Sequence, residues 1–116
     1  MPYIDQDSRD KFDSKIDALA EALRIENLRI GENTPGNLNY VITELLVAWL
    51  RGHAYYSRAF PAATNYSSFN EVIGVLECAK LELYRRQIAP YENKKCEENG
   101  DVYKRIPYPS TINDEE

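Results

Sequence analysis

Two sets of side chains in this sequence have the chemistry to hold a ligand. The first combines Arg51, Arg85 and Arg86 with Tyr40, Tyr55, Tyr56 and Tyr84. Guanidinium forks grip phosphate oxygens bidentately and stack on bases, while a phenol supplies an aromatic face and a hydroxyl donor. Nine tyrosines among 116 residues exceed ordinary usage, so these residues predict a pocket for a small anionic ligand, above all a nucleotide or a nucleotide-derived signal. The competing role is structural, because amphipathic tyrosines also fill small cores and subunit interfaces.

The second set is Glu44, Glu71 and Glu82. Glu71, Cys78 and Glu82 share one helical face at i, i+7 and i+11, and an opposing Glu44 would complete an oxygen site for Mg²⁺ or Mn²⁺ able to support nucleotide hydrolysis. The structural alternative gives Glu71 to a capping box and pairs Glu82 with Arg85 or Arg86. The Glu-x-x-Glu and Glu-x-x-Asp spacings of all-helical nucleotide pyrophosphatases do not occur in the second and third helices. Cys78 and the single histidine, His53, have no sequence relation that would make them a nucleophile and its base. Cys78 is therefore expected as a small buried packing residue, and Cys96 as an exposed one. Without CxxC or His-x-Cys spacing there is no zinc pattern. No catalytic residue, metal or cofactor is assigned.

The elements that must position these groups belong to one small domain. Hydrophobic residues at 43% and charged residues at 28% describe a soluble globular chain. Nineteen acidic against fourteen basic residues give a net charge of −5, which repels duplex nucleic acid. Screening over about 8 Å leaves a local arginine cluster free to attract a small anion. No apolar run approaches the roughly 20 residues that span a bilayer, and the N-terminus has no secretory pattern. The expected setting is cytoplasmic, with no membrane contact.

Phe12, Ile16, Leu19, Ala20 and Leu23 mark one helical face, which predicts a first helix from about Ser8 to Ile25 with Asp7 or Ser8 as cap. Gly31, Asn33, Pro35 and Gly36 predict a loop over Glu26–Gly36, in which Leu28 and Ile30 could form a short extended piece. A second helix is expected from about Leu38 to Arg51. Its apolar residues cover more than half the circumference and leave Asn37, Tyr40, Glu44 and Arg51 as a narrow polar stripe, so it is central or lies in an oligomer interface. An aromatic-rich connection follows over His53–Tyr66. Ser68-Phe69-Asn70-Glu71 matches a capping box and starts a third helix at Phe69, which Pro90 bends or breaks. Gly74 in that helix implies the close approach of a neighbour. Tyr91–Glu98 predicts a short fourth helix stopped at Asn99-Gly100. The fold class is all-α: a small bundle of three main helices and a short C-terminal helix over residues 1–103, then an extended or disordered tail over 104–116. Three short helices cannot cover such wide apolar stripes, so a homo-oligomer is expected.

Residues 36–43 and much of 70–103, including Glu71-Val72-Ile73-Gly74-Val75-Leu76-Glu77-Cys78 and Glu98-Asn99-Gly100-Asp101-Val102-Tyr103, resemble an uncharacterised family of small proteins of tailed phages and prophages. The resemblance implies a viral or mobile-element setting, with the host cytoplasm as compartment, and carries no activity or catalytic residue. Taken with the tyrosines and arginines, it leads to an expected function of non-enzymatic sequestration of a nucleotide-like anion by an oligomer that counters host defence. The two alternatives are the Glu44/Glu71/Glu82 hydrolase and an interaction module acting on a host protein.

Overall fold

The computed structural model describes residues 2–56 and 66–103, with side chains placed for all of these except 53–56. Helix α1 spans Gln6–Ile30, α2 Pro35–Tyr56 and α3 Tyr66–Leu83; a π-helical turn follows over Tyr84–Ile88, and α4 spans Ala89–Asn99. No strand occurs among the described residues, and the chain is all-α as its periodicity predicts.

Helix α1 begins earlier and ends later than its apolar spacing implies. Asp5, in extended conformation, accepts a 2.8 Å hydrogen bond from the Ser8 amide, so Asp5 rather than Asp7 or Ser8 is the cap. At the other end helical geometry continues through Leu28 and Ile30, in place of the expected loop. The helix stops only at Gly31, whose φ of 85° is open to glycine at little cost. The Gly31 and Glu32 amides both donate to the Asn27 carbonyl, at 2.8 and 3.2 Å. The Asn27 side chain also accepts from the Thr34 hydroxyl at 2.9 Å. This ties the end of α1 to the start of α2, where Pro35 takes the first helical position and its missing N–H goes unused.

Helix α3 is already under way at Tyr66, so Ser68 lies inside it and is buried. The capping box therefore does not mark the start of this helix. Pro90 does not break the chain of turns. The Ala89 amide reaches back five residues to the Tyr84 carbonyl, one turn widens to π geometry, and Pro90 falls in the first turn of α4. A proline has no N–H to return to the preceding turn, and a widened turn accommodates that gap. Gly100, with φ of 90°, ends α4 as expected and donates to the Cys96 carbonyl at 2.8 Å.

The chain divides into two units, Met1–Lys80 and Leu81–Glu116. In the first, the backbones of α1, α2 and α3 approach one another only sparsely. Among the described residues only Val72 and Ser68 are buried. In the second, the π-turn runs into α4, where Lys95 lies over the Tyr91 ring at 5.7 Å and pairs with Glu98 at 3.3 Å. The connection expected over His53–Tyr66 is shorter than its composition implies, because α2 continues through Tyr56 and α3 includes Tyr66; residues 57–65 and the 104–116 tail lie outside the described residues.

The close approach expected at Gly74 is not made, because a Cβ there would meet nothing within 4 Å. Gly31 and Gly74 should respond oppositely to alanine. Gly31→Ala forces a side chain into the left-handed region and is expected to cost about 1 kcal/mol. Gly74→Ala removes a mid-helix glycine and should stabilise by roughly 0.5–1 kcal/mol. Equilibrium unfolding of both variants checks this, and a loss at Gly74 equal to that at Gly31 would contradict it.

Candidate functional site

The arginine and tyrosine residues fall into two groups. On α2, Tyr40 and Arg51 share the polar stripe with Glu44, and all three are exposed. Tyr55 and Tyr56 continue the same helix, with side chains outside the described residues. The second group, Tyr84, Arg85 and Arg86, occupies the π-turn. Arg85 forms a two-point ion pair with Glu82, through Nη2 to Oε1 at 2.5 Å and Nε to Oε2 at 3.3 Å. Of the two roles open to Glu82, the pair with Arg85 is thus made. Arg86 and Tyr84 are exposed one position to either side.

The carboxylates do not gather. Glu44 and Glu71 are exposed, and among the described residues no group of three or more His, Cys, Asp or Glu is placed to hold a metal ion. Cys78 is exposed rather than buried. The reason is that its face of α3 borders an open groove of about 550 Å³ formed with Trp49, Glu71, Gly74 and Val75. Cys96 is exposed, as expected. The His53 side chain lies outside the described residues.

A smaller groove of about 200 Å³ between α1 and α2 is lined by Leu19, Leu23, Asn37, Tyr40 and Val41. A third, of about 490 Å³, lies at the turn after α1 against Arg24, Leu28 and Glu32. Among the described arginine and tyrosine side chains of this set, Tyr40 lines one of these grooves. Apolar helix surface dominates instead: Phe12 and Ile16 on α1, Leu38, Ile42 and Leu45 on α2, and Phe69, Ile73 and Leu76 on α3 are all exposed. The signal for them was present in the wide apolar arc of the second helix and the double stripe of the third.

Carboxylate shifts appear at the two ends of α1. The Ser8 amide, and after it the Ser8 hydroxyl, holds the Asp5 carboxyl below the usual carboxylate range. The Arg29 guanidinium, bonded to both carboxylate oxygens of Glu26, lowers that carboxyl and is itself raised.

The fold defines a small all-α protein with extensive exposed apolar helix surface among the described residues. Residues 1–102 match the family described as a domain of unknown function, DUF6899, and the chain belongs to that family. No curated protein and no solved structure matches it. Among the described residues no helix is long and apolar enough to cross a membrane.

The lowered Asp5 carboxyl predicts a pH response with a definite sign. A carboxyl lowered in the folded helix contributes stability above its unfolded value, and that contribution is lost as pH falls through the folded value. The Ser8 amide should therefore lose hydrogen-exchange protection as the solution is acidified below the usual aspartate range. Asp5→Asn keeps a capping oxygen that does not titrate, and should remove this step. Identical acid profiles for the two proteins at Ser8 would contradict the assignment.

Proposed function

We propose that this protein works by contact with other protein chains through its apolar helix faces, as an interaction and assembly module rather than a catalyst. One observation carries the reading: large apolar side chains on α1, α2 and α3 stand exposed, while Val72 is the only buried hydrophobic among the described residues. Monomeric soluble proteins rarely leave contiguous apolar surface of this kind open, and such surface marks sites of association. The phage resemblance of the sequence supports a host protein among the targets.

A second reading keeps the small anionic ligand. Tyr84, Arg85 and Arg86 sit together on a π-turn, a geometry frequent at functional sites, and Arg86 is exposed beside them. A nucleotide held there would be sequestered without chemical change, and a countered host defence would be the outcome.

Native mass spectrometry of the protein purified without denaturation, with and without a panel of linear and cyclic nucleotides, separates the two. The first reading expects a mass containing more than one protein chain and no retained nucleotide. In Ile73→Asp/Leu76→Asp that mass should fall toward the single chain with helicity preserved by circular dichroism. The second expects stoichiometric, unaltered nucleotide that is lost in Arg85→Ala/Arg86→Ala. A single chain that binds no other chain and no nucleotide would overturn both.

A further inference from the structure

We propose that a second copy of this chain covers the α2 face made by Leu38, Ile42, Leu45 and Trp49, with the two α2 helices antiparallel about a twofold axis. This names the partner for the contact reading above and rests on it. The four residues are spaced four, three and four apart, the interval that lines up a single seam on a helix and calls for a facing helix at a shallow crossing angle. They are exposed by 52, 42, 63 and 48% respectively. Trp49 also borders the groove that α2 makes with Glu71, Gly74 and Val75 of α3, and about half of its surface stays open beyond that.

Area and charge both favour a copy of the same chain. A large side chain presents about 200 Å², so four that are half exposed offer roughly 400 Å² from each chain. Two such seams give about 800 Å² of apolar surface, which at the apolar share of homodimer contacts corresponds to an interface of roughly 1,200 Å², the threshold of a stable one. The chain is acidic overall, yet α2 contains one carboxylate, Glu44, and one guanidinium, Arg51. Glu44 and Arg51 cancel, and the net negative charge of the chain lies outside α2, so two α2 helices can meet without net like-charge repulsion.

The antiparallel arrangement matches volumes. It sets Leu38 against Trp49 of the second copy and Ile42 against Leu45 of the second copy, and it opposes the helix dipoles. A parallel, in-register pair would stack Trp49 on itself and align the helix dipoles.

Sedimentation velocity of the full chain over a wide concentration range is the first test, with a dimer or a higher even assembly expected. Leu45→Asp should shift it to the single chain. A second measurement holds if that variant fails to fold. In a Cys78→Ser/Cys96→Ser background, chains carrying Ile42→Cys are mixed with chains carrying Leu45→Cys and oxidised. The mixed disulfide should form in preference to either chain linked to itself. Preferential self-linking at both positions would overturn the antiparallel pairing. A single chain at every concentration would overturn the self-pairing altogether. If that single chain cross-links through position 45 to a different protein in cells, the contact reading survives the loss of this inference, and if it cross-links to nothing, both fall.

Discussion

Everything in this protein depends on apolar side chains that its own helices leave in water. Ordering a residue costs about 1–2 kcal/mol of backbone entropy, and most helical stability in proteins comes from packing of an apolar face rather than from propensity. Burial of a large apolar side chain returns roughly 1.5–3 kcal/mol, the usual source of the difference. Here Val72 is the only buried hydrophobic among the described residues. The proposed contact with another chain would supply the burial that the described residues do not make among themselves.

Local interactions still decide where each helix begins and ends. The Asp5 cap, the left-handed Gly31, Pro35 in the first turn of α2 and the Gly100 stop each act within a few residues, independent of any partner. The Asn27 side chain reaches Thr34 across the first turn and so ties two helices whose backbones otherwise meet sparsely. The π-turn before Pro90 adjusts one helix to a residue that cannot donate.

This division explains what was legible in the sequence. The all-α class, the polar stripe of α2 and the Asn99-Gly100 stop could be read because they arise from periodicity and short-range geometry. The sequence signal ends α1 at Ile25 because Asn33, Pro35 and Gly36 look like an extended loop, although Gly31 alone terminates the helix. Ser68 and Glu71 satisfy the capping pattern, yet α3 starts upstream and turns Ser68 inward. An apolar helix implies a packed environment for Cys78 and Gly74, and whether such a helix has a neighbour is a tertiary fact that spacing does not encode. The arginines and tyrosines were legible as residue types. The π geometry around Tyr84, Arg85 and Arg86 was not, since it arises from the adjustment of the helix to Pro90.

The most direct test of the claim that stability comes from surface shared between chains is equilibrium unfolding, followed by circular dichroism, as a function of protein concentration. A partner that binds only the folded chain raises stability by mass action. For pairing of two copies, the denaturant midpoint should climb with concentration, by the equivalent of about 1.4 kcal/mol for each tenfold increase. A cooperative transition with the same midpoint at every concentration would show that a single chain supplies its own core, and would contradict the account.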